Sequence, residues 1–232
     1  MLQKMIDECS KIVVFSGAGV STESGIKDFR SEDGLYNMKY KFPPEYMLSS
    51  DCLYNNPEDF YDFYRNNLNS LDYLPNITHK YLKKLEDSGK LSSIITQNID
   101  GLHTKAGSKK VLEIHGTVYK NYCIKCGKTY DENYIFNSTH IPMCSCGGIV
   151  RPDVTLYGEA LPSSFNDAIE EVEKADMLLV LGTSLTVFPA SSLINYFNGK
   201  YLVIINKDKT QMDNLANLVI NDKLSNVFNK LN

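Results

Sequence analysis

Short, nearly unbroken apolar runs constrain this chain more than any other feature. Ile12-Val13-Val14-Phe15, Met177-Leu178-Leu179-Val180-Leu181 and Tyr201-Leu202-Val203-Ile204-Ile205 lack the alternation of a half-exposed sheet and are too short for core helices. They read as strands covered on both faces. Leu91 to Thr96, Val111 to Ile114 and Leu218-Val219-Ile220 are further strand candidates. Helical patterning falls between or beyond them, near 2–9, 57–68, 77–88, 164–174, 190–198 and 222–231. Pro57 suits a first turn, Asn76 a cap and Gly89 a stop. Strand and helix in alternation predict an α/β fold, a doubly wound, Rossmann-like parallel sheet. Ligands of such a sheet sit at the C-terminal ends of its strands.

The first apolar run ends in Gly17-Ala18-Gly19. A strand that turns on glycines into a helix start offers free backbone N–H groups and a positive dipole end, a place for phosphates. Thr22 stands where a dinucleotide fingerprint would have its third glycine, so the turn alone does not separate a phosphate cradle from an ordinary tight turn. The continuation to Asp28, Phe29 and Arg30 favours the cradle: a carboxylate, an aromatic face and a guanidinium have little structural reason to cluster there. No acidic residue for a ribose follows the second strand, which disfavours an ordinary dehydrogenase.

The interval from Thr117 to about Asp153 breaks the alternation, and four of the six cysteines fall in it. Cys123-Ile-Lys-Cys126 and Cys144-Ser-Cys146, 17 residues apart, have the pattern of a structural zinc site. The second pair is one residue tighter than usual, which leaves a three-cysteine site open. A small lobe held by a metal instead of a core is expected here. Four thiolates leave no position for water, so this zinc would hold structure and do no chemistry. Cys9 and Cys52 read as small buried apolar residues.

At 232 residues, 43% apolar and 22% charged, the chain can bury one large core and a satellite lobe. A net charge of −4 argues against a protein built to grip nucleic acid. Met1 to Lys11 carries no run suited to a signal peptide or membrane span, so a cytoplasmic protein is expected.

The segment from Gly17 to Arg30 resembles the opening motif of the sirtuins, the NAD-dependent protein lysine deacylases, here of bacterial type. Lys27 departs from it, standing where most of the family has proline. The resemblance extends to the four-cysteine module, to Thr96-Gln97-Asn98-Ile99-Asp100, and to Gly182-Thr183-Ser184-Leu185-Thr186-Val187-Phe188-Pro189-Ala190. Without it, the polar residues at 96–100 are turn chemistry and those at 182–184 are helix caps. With it, Ala18 and Gly19 would hold the NAD pyrophosphate beside Gly17, Thr22, Asp28, Phe29 and Arg30. Gln97 and Asn98 would contact the nicotinamide ribose, and Ile99 and Asp100 the nicotinamide ring and its amide. Gly182, Thr183, Ser184 and Asn206, with Lys207 and Asp222, would bind the adenosine side.

Of the four histidines, His79 is expected on a surface helix, His103 near the amide loop and His140 in the zinc lobe. His115 ends a strand on the same sheet edge as the glycine turn, and its ordinary pKa suits a general base. It and Asn98 are the expected catalytic residues. The resemblance also implies that Arg151 to Glu159 and Leu185 to Pro189 hold an extended peptide as an added strand, with Val154, Tyr157, Gly158, Val187 and Phe188 lining the groove or lysine tunnel. Packing at a lobe junction is the alternative for those residues.

One catalytic domain over 1–232 is expected: a sheet lobe at about 1–30, 76–116 and 154–232, a helical cover at about 31–75, and a zinc lobe at about 117–153. The implied reaction moves an acetyl group from lysine to ADP-ribose and releases nicotinamide, with His115 activating a ribose hydroxyl. The partners expected are acetylated proteins and NAD, with no nucleic acid or membrane, and the protein is expected to be a monomer. Sirtuins that take succinyl or malonyl lysine carry a tyrosine and, three residues on, an arginine; here these positions are Tyr64 and Asn67, so acetyl is expected over succinyl. Protein mono-ADP-ribosylation breaks the same glycosidic bond and is the rival reaction. A zinc hydrolase would need an open metal with histidine or carboxylate ligands, for which the sequence has no cluster. A zinc-ribbon binding module would leave the sheet unexplained.

Overall fold

The computed structural model describes residues 1–29, 34–37 and 39–231, so Arg30 of the opening motif lies outside the described residues. The chain runs through α1 (Leu2–Glu8), β1 (Ile12–Ser16) and two 3-10 turns, Ala18–Val20 and Thr22–Ser24. Next come α2 (Pro44–Met47), α3 (Ser50–Asn55), α4 (Pro57–Leu68) and α5 (Ile77–Asp87). Then follow β2 (Leu91–Thr96), α6 (Leu102–Lys105), β3 (Val111–Glu113), β4 (Gly116–Cys123), β5 (Thr129–Tyr130), α7 (Glu132–Phe136) and β6 (Val150–Val154). The last elements are α8 (Ser164–Glu173), β7 (Met177–Leu181), β8 (Tyr201–Ile205), β9 (Leu218–Ile220) and α9 (Leu224–Phe228).

Six parallel strands form one sheet in the order β3-β2-β1-β7-β8-β9. The order reverses between β1 and β7, the switch point at which such sheets open a crevice. The apolar runs are continuous because both faces are covered. Ile12, Val14, Leu179 and Val203 pack on one side with α1, α5 and α9, while Val13, Phe15, Val180 and Ile204 pack on the other with α8. The segment expected as a helix over 190–198 is a 3-10 helix, Ala190–Tyr196. Serines 191 and 192 and Asn195 compete with the backbone for hydrogen bonds there and weaken an α-helix. The last helix starts only at Leu224, because Asp222 turns back to accept from the Lys223 N–H (2.7 Å) and from Asn226 (2.8 Å).

β4, β5 and β6 form a separate antiparallel sheet, with Tyr122 opposite Arg151 and Cys123 opposite Val150. The cysteine interval is therefore not held by metal alone. Val118, Ile135 and Val150 share a core with Leu53, Phe60, Tyr61, Phe63 and Tyr64 of α3 and α4. That core escapes a periodicity argument because each strand supplies only one or two residues to it, and its aromatic half comes from a remote stretch of chain. The histidine placement also differs from expectation. His79 is fully buried, its Nδ1 accepting from the Asn76 N–H as part of the cap of α5.

Candidate active site

Each strand end contributes one segment to a cleft of ≈ 1600 Å³ along the C-terminal edge of the parallel sheet. β1 ends in Gly17, Ala18, Gly19 and Thr22, with Asp28 and Phe29 beyond them. β2 ends in Gln97, Asn98, Ile99 and Asp100, and β3 is followed by His115. From the far side come Gly182, Thr183 and Ser184 after β7, Asn206 and Lys207 after β8, and Asp222 after β9. Val154, Tyr157 and Gly158 line one wall, and Val187 and Phe188 line another. Every residue expected at the site, Arg30 aside, thus borders one cleft. A smaller hollow of ≈ 590 Å³ between Asp131 and Met143 shares none of its residues.

The glycine turn and the β7 loop meet backbone to backbone. Gly19 N–H donates to Gly182 O (2.8 Å), and Gly182 has φ +55. A Cβ on Gly182 would sit 2.6 Å from Gly19 C and Val20 N, so the crossing needs glycine both for its dihedral and for its space. Leu185, buried and also left-handed at φ 57, marks a loop whose conformation its surroundings impose.

Side chains then knit the turn to the amide loop. Asn98 Nδ2 donates to Gly17 O (3.1 Å) and to Ser21 Oγ (3.1 Å), and Ser21 Oγ–H donates to Asp100 Oδ2 at 2.6 Å. Burial pushes the Asp100 carboxyl up, while the hydrogen bonds from Ser21 and from the Leu102 N–H (2.9 Å) pull it back. Gln97 Nε2 donates to Thr183 Oγ1 (3.0 Å), tying β2 to β7.

His115 is half-buried, with Nδ1 3.0 Å from Gln97 O. A carbonyl can only accept, so Nδ1 carries the proton and Nε2 keeps its lone pair. Burial lowers the pKa of the ring, against a smaller upward pull from the Gln97 hydrogen bond, so the imidazole is neutral at physiological pH.

Two cleft residues escape the sequence reading, and a third, Tyr64, sits where its acyl-choice role does not foresee. Ser21 stands inside the glycine motif, but its role requires knowing that Asp100 folds back over it. Glu23 accepts from the Ser225 N–H (3.1 Å) and Oγ–H (2.6 Å), fastening the turn to α9, and its Oε2 is buried without a partner. The Tyr64 ring lies between Phe60 and Phe136, and its hydroxyl is buried and unpartnered. A groove across a sheet switch point, walled by glycine backbone and holding orphaned polar atoms, suits an extended dinucleotide.

The four cysteine sulfurs lie within 4.8 Å of one another, with Cys123 and Cys146 at 3.5 Å and Cys126 and Cys144 at 3.6 Å. Tetrahedral zinc with bonds of about 2.3 Å needs sulfurs roughly 3.8 Å apart, so the cluster fits one ion. The short Cys144-Ser-Cys146 spacer is accommodated, and all four thiolates converge.

The model of the Sir2 family matches residues 17–189, which span the glycine turn, the amide loop, the cysteine cluster and the β7 loop. This chain belongs to the Sir2 family. An NAD-dependent protein deacetylase of Clostridium acetobutylicum is 52% identical to this Sir2 chain, over 98% of it and 95% of the relative. One from Clostridium perfringens is 51% identical, over 99% and 96%. Among solved structures, a Sir2 holding deacetylated p53 peptide and 3'-O-acetyl ADP ribose has a TM-score of 0.92 at 37% identity, covering 98% of this chain and 94% of that one. A Sir2 with p53 peptide and NAD+ has a TM-score of 0.88 at 36% identity, covering 99% and 94%. No helix among the described residues is long and apolar enough to cross a membrane.

Proposed function

We propose that this Sir2 chain is an NAD-dependent protein lysine deacetylase, releasing nicotinamide and O-acetyl-ADP-ribose. The observation that carries the reading is the tie between His115 and the amide loop. A neutral imidazole, its Nδ1–H committed to Gln97 O, borders the same cleft as Asn98, Asp100 and the glycine turn. Bound NAD supplies the glycosidic bond to nicotinamide and the ribose hydroxyls that receive the acetyl group. His115 Nε2 accepts a proton from such a hydroxyl. Asn98, held between Gly17 O and Ser21, orients the sugar, and Asp100 offers its carboxylate to the nicotinamide amide. Val154, Tyr157, Gly158, Val187 and Phe188 take the acetyl-lysine peptide. Zinc held by Cys123, Cys126, Cys144 and Cys146 would brace the lobe that carries part of this groove.

The acyl preference is for acetyl over succinyl. Asn67 stands where a cation would be needed, its Oδ1 accepting from Tyr40 (2.7 Å) and its Nδ2 donating to Phe63 O (2.8 Å). The nearby Arg65 is turned to Ser138 Oγ and His140 O, both at 3.1 Å. We further place the enzyme in the cytoplasm as a monomer, without nucleic-acid or membrane partners.

The deciding experiment is mass spectrometry of an acetyl-lysine peptide incubated with and without NAD, repeated with His115→Ala. Loss of the acetyl group only with NAD, abolished in a folded variant that still binds NAD, is expected. Gain of ADP-ribose on the peptide, or deacetylation without NAD, overturns the reading.

A further inference from the structure

The most heavily bonded ion pair among the described residues takes no part in the chemistry above. Arg151 is buried on β6 and meets Glu159 with both terminal guanidinium nitrogens, Nη1 to Oε1 at 2.5 Å and Nη2 to Oε2 at 2.9 Å. The same guanidinium donates to Val154 O (2.9 Å) and Pro152 O (3.2 Å), and it lies 5.7 Å from the ring centre of Tyr122. Glu159 also accepts from the Leu156 N–H (2.9 Å), while its own N–H donates to Leu156 O (3.0 Å). Burial pushes the Glu159 carboxyl up, but the hydrogen bonds from Arg151 and Leu156 outweigh it and hold the group ionised.

The geometry therefore closes one specific turn. Leu156 to Glu159 is closed by a backbone bond and by the Glu159 carboxylate on the Leu156 N–H, and that carboxylate is anchored to β6. On the turn stand Tyr157 and Gly158, both exposed and both bordering the cleft, with Gly158 at φ +90. On its outer side the Tyr157 N–H donates to Leu48 O (3.0 Å), Tyr157 O accepts from the Ser50 N–H (3.1 Å) and Oγ–H (3.3 Å), and the Tyr157 hydroxyl meets that of Tyr36. In the other direction, Arg151 sits opposite Tyr122, one residue from the Cys123–Val150 pair that begins the zinc cluster. Neither partner of the ion pair bonds to the glycine turn, the β7 loop or Asn206. The strut thus joins the zinc lobe to the wall that carries Tyr157 and Gly158; the lobe's tie to the amide loop is a separate backbone bond, from the Val118 N–H to Ile99 O (3.0 Å).

We propose that Arg151 and Glu159 are positioning residues that set affinity for the acyl-lysine peptide and leave NAD affinity unchanged. This rests on the deacetylase reading, since it needs the wall at 154–158 to be the peptide wall. Bidentate charge pairs have the directional stiffness such a role requires, and a planar guanidinium cannot be replaced in it by an ammonium. Loss of the strut lets the turn shift before any peptide backbone bond is made, so binding is weakened uniformly in ground and transition states.

The test is direct binding of a fluorescent acetyl-lysine peptide, with separate KM values for peptide and NAD, on wild type, Glu159→Gln and the double variant Arg151→Gln/Glu159→Gln. The double variant leaves no buried charge unpaired, so it guards against a fold lost through desolvation. Peptide Kd and KM rising about tenfold in both variants, with NAD KM within about twofold of wild type and zinc content unchanged, is the expected result. Peptide affinity unchanged in a folded variant, peptide and NAD affinity falling together, or failure of both variants to fold would each overturn the proposal, the last two by making the pair a general brace. Wild-type protein that neither binds nor deacetylates the peptide would instead refute the deacetylase reading. Unaltered variants beside an active wild type refute only the role of the strut.

Discussion

Acid should unfold this protein through one pair of rings. His79 and His103 are buried with centroids 4.7 Å apart; His79 Nε2 and His103 Nδ1 have no partner, and His103 Nε2 faces Ser16 Oγ at 3.0 Å. Burial drives the His79 pKa down to about 4, and burial with the neighbouring ring drives His103 well below its ordinary value. The unfolded chain binds protons at these histidines from about pH 6.5 downward, whereas the folded protein resists, so the unfolded state holds more protons and stability falls as pH falls. For His79 alone the loss between about pH 7.5 and pH 5 is about 2 kcal/mol, approaching roughly 3 kcal/mol near pH 4. His103 adds a loss of the same sign. The assay is urea unfolding at both pH values for wild type and His79→Gln, whose amide oxygen can still accept from the Asn76 N–H. Wild type should lose about 2 kcal/mol more than the variant, a difference of about 4–8 °C in melting temperature for a chain of this size. Zinc-thiolate protonation acts on both proteins and cancels in the difference. Equal losses in the two would refute the argument that the buried ring, not the metal, sets the acid limit.

Other outcomes follow from the same geometry. The acid limb of the turnover profile should lie below the ordinary histidine value of about 6.5, because burial lowers the pKa of His115; a limb above it would contradict the neutral-base assignment. Cys144→Ser should lower bound zinc, measured by a colorimetric chelator after denaturation, and cost on the order of several kcal/mol of stability if four thiolates hold the ion. Gly182→Ala forces a side chain into the Gly19 backbone and should weaken NAD binding at least about tenfold by calorimetry, with the peptide Kd far less affected. Asn67→Arg should raise succinyl-peptide turnover relative to acetyl, read by mass spectrometry of mixed substrates.

The sheet was legible because burial on both faces leaves an uninterrupted signature. The strands at 12–16, 177–181 and 201–205 could be placed to the residue, as could α4 with its proline at the first turn. The edges of the cleft were legible because strand ends carry unusual residue types, as with Gln97-Asn98 and Gly182-Thr183. What stayed hidden depends on contacts between distant segments. The three-stranded sheet of β4, β5 and β6 gives only two residues of pairing to β5, too little for any period to register. Ser21 acts only because Asp100 returns to it, and Glu23 only because α9 starts beside it. His79 reads as a surface residue because Lys80, Lys83 and Lys84 follow it on α5, whereas its ring packs against His103.

The register of Gly116 opposite Val154 has a further consequence. The chain departs for the cysteine cluster and comes home at neighbouring points; the start of β4 still touches the sheet edge, the Val118 N–H donating to Ile99 O (3.0 Å), and what lies beyond that bond is a detour. Such a loop of structure can be lengthened, trimmed or exchanged while the cofactor machinery stays intact, provided that whatever replaces it still delivers a guanidinium to Glu159. If Val154, Tyr157 and Gly158 hold the peptide as proposed, changes in the detour beyond Val118 would alter target choice and spare the strand-end residues.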